Sequence, residues 1–277
     1  MRLDGGRYAM NVKKLRLGLV GKDVSKSKSE EIHRFILKEL GVACEYERFS
    51  ITVDEFDSVM RRLMGDFDGF NVTIPYKRDV MGYLDEVKDD AMDFGAVNTV
   101  VTKTATGYNT DGVGFLQMLD EAGVSVKNQK ILVLGGGGAG RSTAAALKKA
   151  GASVWMYQRR KEKLQETCQE LGILAAADGN QGGFDILINC TGVGMHESEG
   201  VSPVGDKAFD GASVAIDLIY EPKQSEFLRQ AKALGLQTVN GEAMLFYQAY
   251  YADCLYLEMQ PNGDQAVEFY QKYKGEK

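Results

Sequence analysis

Apolar and polar positions follow two regimes along this chain. From residue 15 to about 115, aliphatic runs and amphipathic stretches alternate irregularly; from Lys130 onward they alternate regularly. Leu15–Val20 is aliphatic and reads as a strand. Gly21 ends it, and Ile32, Phe35, Ile36 and Leu40 then recur on one helical face, with Ser29 placed to cap that helix. His33 lies at the edge of that face and reads as a structural residue. Cys44–Ile51 alternates as a strand and Val53–Met64 as an amphipathic helix. Gly69–Lys77 reads as a strand that must leave its sheet at Pro75, which has no N–H for the ladder. Gly95–Val101 predicts another strand with Asn98 among apolar neighbours, so Asn98 needs hydrogen-bond partners. Tyr108–Phe115 turns into a helix, which Thr110 or Asp111 could cap.

The second regime predicts strands at Ile131–Leu134, Ser153–Tyr157, Ile173–Ala176, Asp185–Cys190, Val214–Leu218 and Leu236–Val239. Helices at Arg141–Ala150, Lys161–Leu171 and Gln224–Leu234 lie between several of them. Strands separated by helices imply a doubly wound parallel sheet, and six strands make a complete dinucleotide-binding unit. A long helix, Glu242–Glu258, follows, with Met244, Leu245 and Tyr247 in a stripe that reads as core.

The first strand of that unit opens onto the segment GGGGAGRS. Gly135, Gly137 and Gly140 have the G-x-G-x-x-G spacing that allows a tight turn, backbone approach to a pyrophosphate, and close packing of helix on strand. The same residues fit a triphosphate-binding loop, with Asp217 as its metal-binding aspartate, except that Arg141 stands where that loop needs lysine. The second strand runs into Gln158-Arg159-Arg160-Lys161, with no carboxylate to hold a ribose 2′-hydroxyl. Cations at a helix start are electrostatically unfavourable unless an anion sits there, and arginine pairs well with a 2′-phosphate. NADP is therefore expected over NAD.

Composition narrows the classes further. With 277 residues, 44% hydrophobic and 26% charged, the chain is of ordinary globular type, and its net charge of −6 speaks against nucleic acid as a partner. Four cysteines without a C-x-x-C pair and only two histidines, His33 and His196, offer neither a disulfide framework nor a metal site. No run reaches membrane-spanning length and the first residues lack the apolar core of a signal peptide, so a cytoplasmic protein with no membrane partner is expected.

Eight segments, in order, resemble the shikimate dehydrogenase family, including its quinate/shikimate branch: Ser27-Lys28-Ser29, NVTIPYK (71–77), GAVNT (95–99), NTDG (109–112), GGGGAGR (135–141), INCTGVGM (188–195), DLIYEP (217–222) and GEAMLFYQA (241–249). The resemblance implies two α/β domains. Residues 1–112 plus 241–277 would bind substrate, and residues 113–240 would form the Rossmann domain. It implies NADPH-dependent reduction of 3-dehydroshikimate to shikimate in aromatic amino-acid (chorismate) biosynthesis, by a monomer or homodimer. Lys77 and Asp111 match the family's catalytic pair. Ser27 and Ser29 would hold the substrate carboxylate, and Thr73, Asn98, Asp111, Tyr220 and Gln248 its ring hydroxyls. Gly135, Gly136, Gly137, Gly138, Ala139, Gln158, Arg159, Arg160, Leu218 and Gly241 would hold the cofactor. The chain departs from the family pattern at Asp23, Lys26 and Glu30 beside the serines, at Gln158 where asparagine is usual, and at Lys161. Quinate as substrate, NAD as cofactor, and a non-catalytic dinucleotide-binding regulator are the alternatives.

Overall fold

The computed structural model describes residues 14–276. Its first half is built as β1 (Leu15–Gly21), α1 (Ser29–Glu39), β2 (Cys44–Ser50), α2 (Phe56–Asp66), β3 (Gly69–Val72), β4 (Glu86–Val87), α3 (Asp89–Phe94), β5 (Thr99–Val101) and β6 (Thr106–Tyr108). These strands form one sheet in the order β2-β1-β3-β5-β6-β4. β1 runs parallel to β2 and β3, whereas β5 is antiparallel to both β3 and β6. Helix α4 (Asp111–Glu121) then leads away from β6.

The second half runs β7 (Lys130–Leu134), α5 (Gly138–Lys149), β8 (Ser153–Tyr157), α6 (Lys161–Leu171), β9 (Leu174–Ala175), β10 (Ile186–Asn189), β11 (Val214–Asp217), α7 (Glu226–Ala233) and β12 (Gln237–Asn240). Its sheet has the order β12-β11-β10-β7-β8-β9, parallel throughout. This is the doubly wound order, with its switch point between β7 and β10, where such sheets open a crevice for ligands. Helices α8 (Glu242–Tyr256) and α9 (Gly263–Gly275) follow, and α8 packs between α4 and α1. Met244 and Tyr247 of α8 are buried in the core, as the stripe predicts, while Leu245 is half-buried against it and Phe246, outside the stripe, is fully buried. No described helix is long and apolar enough to cross a membrane.

Several expected boundaries shift for identifiable reasons. The strand expected from Gly69 to Pro75 ends at Val72, because the chain then turns, with the Tyr76 N–H donating to Thr73 O. The expected strand 95–101 starts only at Thr99: Gly95 closes α3 with a left-handed backbone, φ 60°. Ser29 does begin α1 but does not cap it; its own N–H donates to Ser27 Oγ at 3.2 Å. His33 lies at no edge. It is fully buried, stacked on Tyr46, with Nδ1 2.7 Å from Asp253 Oδ1.

Candidate active site

Local backbone demands place Lys77. β3 ends at Val72, and the turn after it is anchored by Tyr76, whose buried ring stacks on Phe56 and whose hydroxyl donates to Ile51 O at 2.9 Å. Lys77, next in sequence, accepts a hydrogen bond from the Val97 N–H through its carbonyl, at 2.8 Å. Its side chain is thereby sent out from the turn that follows β3, with Nζ 2.5 Å from Asp111 Oδ2.

Asp111 begins α4 without capping it; Thr110 holds the cap position, and neither side chain makes a cap hydrogen bond. The carboxylate is committed elsewhere. Oδ2 receives Lys77, and Oδ1 receives the Asn98 amide at 2.8 Å. Asn98 is the centre of the cluster. Its Nδ2 also reaches Thr110 Oγ1 at 3.0 Å and Gln248 Oε1 at 3.5 Å, while Oδ1 accepts from the Thr110 N–H and the Thr99 hydroxyl, both at 2.8 Å. Gln248 comes from α8, and the approach depends on Gly114 of α4. A side-chain carbon there would stand 2.6 Å from Gln248 N. Neither Gly114 nor Asn109, whose side chain receives the Asp111 N–H at 3.0 Å, was expected from sequence. A glycine at a helix–helix crossing leaves no periodic signal.

The other expected substrate residues make their contacts outside this cluster. Thr73 pairs its N–H with Val20 O at 2.9 Å, and its side chain packs over Gly21. Ser27 donates to Ser29 at 3.0 Å, with Ser29 buried and Ser27 half-buried. Lys26 is exposed, and Glu30 is engaged by Arg34 and Arg48. Tyr220 stands on the loop after β11, facing Lys28.

That loop has a buried base the sequence did not disclose. Asp217 Oδ2 accepts from Ser225 at 2.5 Å, and Oδ1 accepts from the Ile219 N–H at 3.0 Å and the Asn189 amide at 3.1 Å. Asp217 is therefore a loop fastener, which removes the triphosphate-loop alternative together with Arg141. The Arg141 guanidinium turns to Glu170 at 2.7 Å and to Phe94 O at 3.3 Å. Burial pushes the Asp217 carboxyl above its ordinary value of 3.8. An acid raised in the folded state favours folding below the unfolded pKa, and that contribution is lost as pH rises through the folded pKa. Asp217→Asn places an amide where the Ser225 hydroxyl now donates and is expected to cost about 2 kcal/mol. In denaturant titrations its deficit should shrink as pH rises from about 4, since only the wild type carries the titrating acid. A deficit independent of pH would refute this account.

The glycine turn lies at the switch point. Gly135 has φ 104°, and Gly140 sits so close beneath it that a side-chain carbon would be 2.0 Å from Gly135 O. Among the described residues, Gly137 precedes α5 with no side-chain cap, leaving the first N–H groups of that helix free, and a carbon on it would meet no atom within 4 Å. Gly138 faces the other half of the site: a carbon there would lie 3.8 Å from Lys77 Cδ. Gln158 abuts Gly136, and its Nε2 is buried without a hydrogen-bond partner among the described residues. Arg159 and Arg160 are exposed at the end of β8, with Arg160 at the cap position of α6. Ala139 lies in the first turn of α5, and Gly241 packs onto the Leu218 carbonyl. Among the described residues, free helix N–H groups, an orphaned amide and guanidiniums without an ion pair fit a phosphorylated dinucleotide.

The family profile described as shikimate dehydrogenase substrate binding domain matches residues 19–100. A shikimate dehydrogenase (NADP(+)) of Thermus thermophilus is 36% identical over 250 residues, 90% of this chain and 94% of that protein. One from Clostridium botulinum is 37% identical over 241 residues, 85% of this chain and 93% of its own length. The solved structure of the shikimate 5-dehydrogenase from Thermus thermophilus in complex with NADP(H) and shikimate superposes with a TM-score of 0.86 at 34% identity, covering 93% of this chain and 99% of that one. With the doubly wound second sheet and the Lys77–Asp111–Asn98–Gln248 cluster, these likenesses place the chain in the shikimate dehydrogenase family.

Proposed function

We propose that the protein is an NADP-dependent shikimate dehydrogenase that reversibly reduces 3-dehydroshikimate to shikimate in the cytoplasm. The observation that carries this is the Lys77–Asp111 ion pair, bonded to Asn98 and set against the first residue of the glycine-turn helix. The relatives named for this activity, one of them solved with NADP(H) and shikimate, support it. The domains divide as residues 1–112 with 241–277 for substrate and 113–240 for cofactor, as a monomer or homodimer.

The chemistry supplied by bound NADPH is a hydride to the C3 carbonyl carbon. Lys77 holds a proton and a positive charge where the carbonyl oxygen becomes an alkoxide, and it gives the proton to that oxygen. Asp111 fixes the ammonium and orients the neighbouring hydroxyl, while Asn98 and Gln248 hold Asp111 and the ring. Ser27 and Ser29 bind the carboxylate, and Thr73 and Tyr220 complete the pocket. Gly135 to Ala139, Gln158, Leu218 and Gly241 cradle the dinucleotide, and Arg159 and Arg160 take the 2′-phosphate.

The test follows reduced-nicotinamide absorbance with shikimate or quinate and with NADP or NAD. Turnover of shikimate with NADP is expected. Turnover of quinate alone would move the substrate assignment, and dinucleotide binding without turnover of either would indicate a regulator. Replacing Arg159 and Arg160 together by serine should raise KM for NADP about 10- to 100-fold, since charge-assisted bonds contribute about 1.5–3 kcal/mol, and leave KM for NAD within about twofold. Equal effects on the two cofactors would overturn the 2′-phosphate assignment.

A further inference from the structure

We propose that Lys28 is a positioning residue that fastens the substrate-binding loop to Tyr220 across the cleft. It stands between the two serines, yet its side chain does not follow theirs. The Lys28 ammonium lies 5.2 Å from the centre of the Tyr220 ring and forms an ion pair with Glu221. Lys28 belongs to the segment leaving β1 of the first sheet; Tyr220 and Glu221 follow β11 of the second. A single side chain therefore joins the two sheets at the mouth of the site.

Burial distinguishes this contact from an ordinary surface pair. The Lys28 side chain is only 28% exposed, although Glu221 is 66% exposed. An ammonium partly withdrawn from water and set near an aromatic ring is attracted to the ring face as well as to the carboxylate. Exposed ion pairs alone contribute little, so the ring contact matters. The base of the Tyr220 loop is already fixed through Asp217 by Ser225, Asn189 and the Ile219 N–H. With the base fixed, what remains free is the direction of the Tyr220 ring and the distance between the two sides of the cleft. Lys28 sets both. The same contact holds the carboxylate-binding segment of Ser27 and Ser29 in register with the opposite wall, so that the pocket is bounded on two sides before substrate enters. The role of Tyr220 in binding rests on the function proposed above, whereas the contact itself does not.

The experiment therefore has a ligand-independent arm and a ligand arm. In the first, lysines are labelled by reductive 13C-methylation and the Lys28 resonance is assigned by its loss in Lys28→Arg. Tyr220→Leu and Glu221→Gln should each shift that resonance in the protein without ligand; no shift in either variant overturns the proposal. In the second, calorimetric Kd and steady-state KM for shikimate are measured for Lys28→Ala, Glu221→Ala, their double variant, and the charge swap Lys28→Glu with Glu221→Lys. Kd and KM should rise about three- to tenfold in each alanine variant, with kcat falling less, and the double variant should be no worse than the single ones. The swap should recover a part of the loss that restored charge pairing carries. Additive single effects, or a Kd within twofold of wild type in Lys28→Ala, would overturn the positioning role. A wild type that neither binds nor oxidises shikimate while the Lys28 resonance still responds to Tyr220→Leu would fault the substrate assignment and leave the contact standing.

Discussion

Lys77→Ala is expected to lower kcat for shikimate oxidation about a thousandfold while raising KM for shikimate by less than about fivefold. General acid–base groups contribute about 10²–10⁴ in rate, and a positive charge aimed at a developing alkoxide adds to that range. The asymmetry between kcat and KM follows from the geometry. Lys77 is held by Asp111 and not by the serines, so its loss strips charge from the reacting oxygen and leaves carboxylate binding in place. Asp111→Asn should fall between wild type and Lys77→Ala, because the Asn98 amide still has an acceptor oxygen while the ammonium loses its counter-charge. Steady-state rates at saturating NADP test this. A kcat within tenfold of wild type in Lys77→Ala would remove Lys77 from the chemistry, and a change confined to KM would make it a binding residue only.

The second large effect concerns the glycine turn, where two neighbouring positions should behave differently. Gly140→Ala puts a carbon 2.0 Å from Gly135 O, and the obstacle is backbone. The turn must move, so dinucleotide affinity should fall at least about 100-fold, with stability reduced by about 1–3 kcal/mol. Gly137→Ala meets no atom of the described residues within 4 Å, and its backbone, φ −74°, suits any residue. It should fold with an unchanged Tm yet lose about 10-fold or more in dinucleotide affinity, because the free space beside the helix N-terminus is where the pyrophosphate is proposed to lie. Thermal unfolding with and without NADP separates the two variants. Equal loss of Tm, or normal NADP binding by Gly137→Ala, would refute this account of the turn.

How much of this was legible in the sequence depends on how local the cause is. The alternation of strands and helices after Lys130 is set by residues a few positions apart, and its six strands appear in the doubly wound order. Boundaries were less legible where one residue decides them, as at Gly95, whose left-handed backbone ends α3 where a strand was expected. Asp111 could be read equally as a cap, because spacing cannot report a lysine 34 positions away. His33 and Asp253 are separated by 220 positions and lie in helices whose patterns each account for them as ordinary core or surface positions. Asp217 even suggested the wrong chemistry, since its partners Asn189 and Ser225 are assembled only by the fold. The resemblance implies roles for Ser27, Ser29 and Tyr220, but nothing in the local spacing of Lys28 between the serines points to its contact with Tyr220, which only the fold brings near.

The berth of α8 between α1 and α4 also sets a timetable for synthesis. His33 leaves the ribosome 220 positions before Asp253, the residue that closes over it. At about 5–20 residues per second that is roughly 10–45 s. Throughout it, Ile32, Phe35 and Ile36 on α1 lack the aromatic wall that Phe246 later supplies. The second sheet, whose strands are contiguous in sequence, can be complete while the first sheet is still waiting for its cover. A nascent chain of this architecture thus presents an apolar helix face to chaperones for most of its translation, and slowing the ribosome lengthens that exposure.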